Sequence, residues 1–391
     1  MSKENYRNLF MLEPEIIYLN HGSFGACPKP VFEEYQRWQR ELEHHPVEFL
    51  DRRLPYLMAE ARTVLAEYLG VNSNEVVFFQ NPTTAMNMVA RSLTRNREPY
   101  LNYRDEILTT DHEYGAVERV WRYLCRQSSA RYVRQNILLP VTSKETFIEQ
   151  FWHGVTKHTR VILISHITSP TALNFPVGEI CRLARQHGIL TVIDGAHAPG
   201  QVNLDMHEIG GDIYIGACHK WLCAPKGSAF LFARKEVQHL LDPLVVSWGY
   251  DNEHPGENSL IDHHEWQGTR DFAAFLSVPA AIQFQRKHNW DQIRQDCHML
   301  ALEFREKFND HFKLEPISTQ DWFHQMVTIR LPPNTDLHLL KYYLVSEKKI
   351  ELPIFEWNFQ KFMRISVQAY NTQEDLIYLL DAITGMNDVL L

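Results

Sequence analysis

The sequence predicts an α/β fold: a mostly parallel sheet sandwiched by helices, with a smaller α+β domain beside it. Three observations carry this. From about residue 55, short apolar runs alternate with stretches of helical spacing, as in sheets whose parallel strands are covered on both faces. Polar residues able to do chemistry fall just after those runs, where α/β sheets bind ligands. After about residue 250 the alternation gives way to a polar stretch and then to a long helical region.

Taken in order, LPYLMAEARTVLAEYLG (54–70) has helical apolar spacing and ends on Gly70, a C-cap residue. EVVFF (75–79) is an apolar run bounded by polar residues and predicts a buried strand. NPTTAMNMVARSL continues as a helix with Thr83 and Thr84 near its N-terminus. DEILTT (105–110), RVILISHI (160–167) and GILTVID (188–194) predict further strands, with a helix over 177–188 between the last two. DIYIGA (212–217) and GSAFLFA (227–233) extend the series. DNEHPGENSLIDHHEWQG (251–268) is polar and loop-like. Helix is expected over about 270–313, and strands over 325–331 and 362–367. The expected division is a large domain over 16–250, a connecting loop over 251–264, and a small domain formed by 1–15 and 265–391.

Composition narrows the function classes. Hydrophobic residues make up 45% of 391, a globular proportion. Acidic side chains outnumber basic ones, 48 to 39, and no basic run stands out. Nucleic acid and anionic membranes need concentrated positive charge, so neither is expected as a partner. The start MSKENYRNLF lacks the pattern of a signal peptide, and no apolar run is long enough for a membrane span. Six scattered cysteines without a CxxC pair suit reduced thiols in a cytoplasm. The histidines form no HExxH or zinc-like spacing, so no metal is expected.

Four pieces carry chemistry, and each is ordinary alone. Asp194 in TVIDGAHAPG ends an apolar strand, where a carboxylate can pair with a protonated ring nitrogen. Lys220 in GACHKWLCAPKGSAF lies beside small and apolar residues that can desolvate its amine, making it a nucleophile and a base. Lys226 is its nearest rival, but Pro225 and Gly227 around it predict a turn. Thr83 and Thr84 offer hydroxyls and free N–H groups for a phosphate. Arg364 in FMRISV can hold a carboxylate with two parallel hydrogen bonds. Together these meet the needs of pyridoxal 5′-phosphate (PLP), whose ring absorbs electrons released at Cα.

In this order the residues resemble the class V aminotransferase family of fold-type I PLP-dependent enzymes. The likeness runs from YLNHGSFGACPKPV (18–31) to RISVQAYNTQEDL (364–376). LNHGSFG, DHEYGAV, DGAHAPGQ, HKWL and GTRD resemble the isopenicillin N epimerase-like branch in particular. The resemblance implies a PLP-dependent transferase-like fold, a Schiff base on Lys220, Asp194 at the ring nitrogen, and His197 near the ring hydroxyl. It implies that Thr83 and Thr84 hold the phosphate, with help from His219. Tyr114, or second to it His112, stacks on the ring. Thr269 of GTRD reaches the phosphate across a homodimer interface. Arg364 takes the carboxylate of an amino-acid substrate, and Asn20 and His21 approach that substrate. Ala217 departs from the family pattern, in which many relatives carry Ser or Asn at that position.

The reaction stays open at this level. The resemblance favours Cα epimerisation of an amino acid or an amino-acid-containing peptide, with Lys220 on one face and His21, Tyr114 or His197 on the other. β-Elimination, as in a C–S lyase, and transamination are the alternatives. The stretch 325–364 contains no cysteine, which disfavours persulfide-forming desulfuration. A non-enzymatic module is disfavoured because Lys220 is present.

Overall fold

The computed structural model describes residues 6–95, 99–256 and 258–386. The ends of the expected small domain, residues 1–5 and 387–391, lie outside the described residues. In chain order the strands are β1 (Ile17–Tyr18), β2 (Val76–Phe79), β3 (Glu106–Thr110), β4 (Arg131–Gln135), β5 (Thr159–Ser165), β6 (Leu190–Gly195), β7 (Ile213–Ala217), β8 (Ala229–Ala233), β9 (Met326–Arg330), β10 (Ile350–Glu351), β11 (Ile354–Trp357) and β12 (Gln360–Ser366).

β2 to β8 build a seven-stranded sheet in the order β2-β8-β7-β6-β5-β3-β4. Only β8 is reversed: it pairs antiparallel with β7 and β2, while the pairs among β3 to β7 are parallel. Alternate residues feed separate apolar layers on the two faces. Val76 and Phe78 enter one, Val77 and Phe79 the other, so every central position is buried and the strands read as continuous apolar runs. The crossovers leave the carboxyl ends of β2, β3, β5, β6 and β7 along one edge. Asp194 and Lys220 lie on that edge, at the end of β6 and just after β7.

The C-terminal part forms an antiparallel sheet, β11-β12-β9. β1 pairs with β10, and Phe10 packs its ring against Phe284 and Tyr370. The N-terminal segment therefore runs along the C-terminal elements before it reaches residues 20–25.

Three expectations need correction. The polar stretch after 251 is not all loop, because a helix forms over Ser259–His264. Asn258 caps it by accepting the N–H of Ile261, and Leu260 and His264 bury one face. The long helical region is three helices, Ala273–Leu276, Val278–Lys287 and Trp290–Phe312, with Asn289 left-handed at the last break. The sequence pattern missed β4, whose RYVRQ is half exposed at the sheet edge. Gly70 ends the Leu54–Leu69 helix at φ 69°, as its sequence predicts. No helix among the described residues is long and apolar enough to cross a membrane.

Candidate active site

Lys220 lies in a tight turn after β7. Its backbone is held from below: His21 is fully buried, and its Nε2 donates to the Lys220 carbonyl at 3.0 Å. The other ring nitrogen accepts the Ala26 N–H at 3.3 Å and meets the Tyr370 hydroxyl at 3.0 Å. His21 therefore supports the lysine turn with both nitrogens occupied.

The Lys220 amine sits 3.3 Å from His197 Nε2. The Trp221 indole can only donate, and it donates to His197 Nδ1 at 3.3 Å. The proton of the neutral imidazole is then on Nε2, facing the amine, an arrangement that favours the amine's uncharged, accepting form. Burial acts the same way. It lowers the Lys220 amine to about 8, against the attraction of Asp194, and holds His197 well below the ordinary histidine range.

Asp194 ends β6 with its carboxyl buried. Oδ1 accepts the Ala196 N–H at 3.0 Å. Burial raises the carboxyl, while that hydrogen bond and Lys220 oppose the rise. His219 donates from Nδ1 to the Ser228 carbonyl at 2.9 Å, which leaves Nε2 for a ligand. Lys226, the rival lysine, donates to the Gly25 carbonyl at 2.9 Å and ties the turn to the N-terminal loop.

Arg364 reaches the same place from β12. It is buried, and Nη1 donates to the Ser169 carbonyl at 2.5 Å while Nη2 donates to the Ser23 hydroxyl at 3.1 Å. Its Nε is buried without a partner. Burial lowers the guanidinium to about 10, and Tyr114 partly offsets this. The Ser23 hydroxyl in turn donates to Asn20 Oδ1 at 2.5 Å. Sequence reasoning missed Ser23 and Ser169; Ser23 stood inside the LNHGSFG phrase without a role.

Gly25 closes this loop at φ 68° and ψ 158°, a region open essentially to glycine alone. A Cβ there would collide with the His219 carbonyl and lie 2.9 Å from that of Lys220. Gly25→Ala is expected to cost at least about 1–3 kcal/mol from backbone strain and to displace the lysine turn. Urea melts of the apoprotein check the first effect, and PLP titration checks the second.

The remaining candidates are placed less tightly. Thr83 and Thr84 open the helix Pro82–Arg95. Asn81 Oδ1 accepts the Thr84 N–H at 2.8 Å and the Thr84 hydroxyl at 3.1 Å, while Thr83 is exposed. Tyr114 is 48% exposed. His112 is fully buried, its ring centre 4.6 Å from Trp357, and its nitrogens meet Thr171 Oγ1 and the Ile137 carbonyl. Thr269 lies in a separate cavity of about 730 Å³ with Pro46, Val47, Leu50, Asp51, Trp248 and Trp266. Ala217 is buried in β7 and offers no hydroxyl. Among the described residues no group of His, Cys, Asp or Glu is placed to hold a metal.

These residues fit PLP. The buried Asp194 suits a cationic ring nitrogen, the desolvated amine suits an aldehyde, and the orphaned Arg364 Nε suits a carboxylate.

Comparison with known proteins agrees. The aminotransferase class-V model matches residues 17–379. Isopenicillin N epimerases from Amycolatopsis lactamdurans and Streptomyces clavuligerus are 35% and 32% identical, each covering 98% of both chains. A probable L-cysteine desulfhydrase of Arabidopsis thaliana is 28% identical over 96% of this chain and 83% of its own. Among solved structures, a cysteine desulfurase from Thermococcus onnurineus NA1 superposes with a TM-score of 0.85 at 18% identity, covering 98% of both chains. The chain belongs to the aminotransferase class-V family and is a PLP-dependent enzyme.

Proposed function

We propose that this enzyme removes the Cα proton of an amino acid, or of an amino-acid-containing peptide, and returns it on the opposite face. The observation that carries this reading is the buried Lys220 amine, its ammonium form disfavoured, held beside His197 within reach of the fields of Asp194 and Arg364. Bound PLP supplies the sink for the electron pair left at Cα. Asp194 keeps the ring nitrogen protonated. Arg364, steadied by Ser23 and Ser169, holds the substrate carboxylate and so fixes which bond at Cα faces the ring. Lys220 takes and returns a proton on one face.

Tyr114 is the proposed acid for the other face. It is half exposed and acts on Arg364, whereas His21 and His197 have both ring nitrogens occupied. The burial of His112 between Trp357 and Phe175 also favours Tyr114 as the residue over the ring. Thr83, Thr84 and His219 are the proposed phosphate contacts.

β-Elimination is the second reading, favoured by the cysteine desulfhydrases among the relatives. All six cysteines are buried, which counts against a nucleophilic thiol and so against persulfide formation. The two readings separate in deuterated water. Epimerisation gives Cα deuterium together with inversion of the amino acid. Release of pyruvate and ammonia without inversion would replace it with elimination.

The cavity beside Thr269 supports a homodimer. Trp248 and Val47, which line it, are largely exposed, an apolar patch that a second copy would cover, bringing Thr269 to the partner's phosphate. Sedimentation analysis tests this. The buried thiols of Cys27, Cys125, Cys181, Cys218 and Cys223 support a cytoplasmic location.

A further inference from the structure

Glu113 is a buried acid that the proposed reaction does not use. Its Oε1 accepts the Thr110 hydroxyl at 2.7 Å and the Ser165 N–H at 3.3 Å. Its Oε2 lies 2.5 Å from the Ser165 hydroxyl. The Thr110 oxygen already accepts the His112 N–H at 3.2 Å, so its own proton is free to go to Oε1. Oε1 is thus ringed by donors, and a proton on this carboxyl belongs on Oε2, where the Ser165 hydroxyl can turn to accept it.

Ser165 is also the cross-strand partner of Asp194. Glu113 therefore stands one hydrogen bond and one strand pairing away from the acid that meets the ring nitrogen. The titratable groups that act on it are Asp194 from β6 and Tyr132 from β4. β3 and β5 contribute only the Thr110 and Ser165 hydroxyls and an N–H. Two neighbouring carboxylates without a cation between them do not both ionise readily. Burial and Asp194 together push Glu113 up to about 7, against its three hydrogen bonds.

We infer that Glu113 is a positioning residue that takes up and releases a proton at Oε2 around neutrality, and that in its protonated form it fixes Ser165 beside Asp194 and leaves Asp194 the single negative charge of the pair. The role in catalysis rests on the PLP reading; the protonation itself does not. When Glu113 ionises, the Ser165 hydroxyl turns to donate and a second negative charge arrives beside Asp194. That charge favours the protonated ring nitrogen, so PLP binding becomes tighter as pH rises through neutrality.

Infrared titration of the apoprotein tests the protonation directly. The wild type is expected to show a protonated-carboxyl stretch that fades as pH passes about 7, and Glu113→Gln is expected to lack it. Ser165→Ala removes a hydrogen bond that favours the ionised form, so the same stretch should persist to higher pH. It serves as the second variant should Glu113→Gln fold poorly. PLP binding follows the Lys220 amine in both proteins, so the gap in equilibrium affinity between wild type and Glu113→Gln is expected to widen as pH rises through neutrality. A role confined to packing would change melting but leave both titrations alike in wild type and variant, and that result overturns the inference. If neither protein binds PLP, the cofactor reading fails while the infrared result still decides the proton.

Discussion

Replacing Lys220 with alanine is expected to lower turnover by about 10³–10⁴-fold, the scale on which a positioned proton-transfer group acts, and to abolish the visible absorbance of the PLP-loaded protein. The fold should survive, because the change removes an amine that burial disfavours as a cation and leaves the His21 support on the backbone carbonyl intact. The amine's environment adds a pH prediction. The unprotonated amine is the nucleophile, so uptake of PLP by the apoprotein should rise with pH and level off above about 8. At neutral pH about one amine in ten is then reactive, against roughly one in 3,000 for an ordinary lysine. Stopped-flow measurement of PLP incorporation reads this directly. A rate that keeps climbing toward the range of a free lysine would mean that the amine is not desolvated.

Arg364→Met is expected to reduce kcat/KM by roughly two to nearly four orders of magnitude, corresponding to about 3–5 kcal/mol for losing one partner of a buried ion pair. The loss should fall mainly on binding of the α-amino acid. Arg364→Lys should recover little of it, because an ammonium lacks the planar fork that matches a carboxylate. The apoprotein should respond in the opposite sense. Arg364 there is a buried cation bonded only to neutral oxygens, with Nε unpaired, so methionine should leave the melting temperature unchanged or raise it. A variant equally impaired in stability and in kcat/KM would indicate that Arg364 is structural.

How much of this the sequence disclosed depended on the range of the interactions involved. Asp194 and Lys220 could be singled out because one ends an apolar strand and the other closely follows one, and local pattern identifies strands. The sheet was legible for the same reason, apart from β4, whose polar edge sequence resembles loop. The surroundings of Arg364 were only half visible. Arg364 could be singled out, but its supports Ser23 and Ser169 are separated from it by 341 and 195 residues, and nothing local marks either serine. The orientation of His21 was out of reach: its position in LNHGSFG is compatible with facing a substrate, and only the Lys220 carbonyl and Tyr370 decide otherwise. Glu113 reads as an ordinary acid between a histidine and a tyrosine. Its burial depends on Ser165, 52 positions away, on a neighbouring strand.

The most direct measurement is borohydride reduction of the PLP-loaded protein followed by mass mapping of its peptides. A single phosphopyridoxyl adduct is expected, on the peptide containing His219-Lys220-Trp221. Attachment at Lys226, or recovery of an unmodified Lys220 from protein that had acquired the visible band, would contradict it.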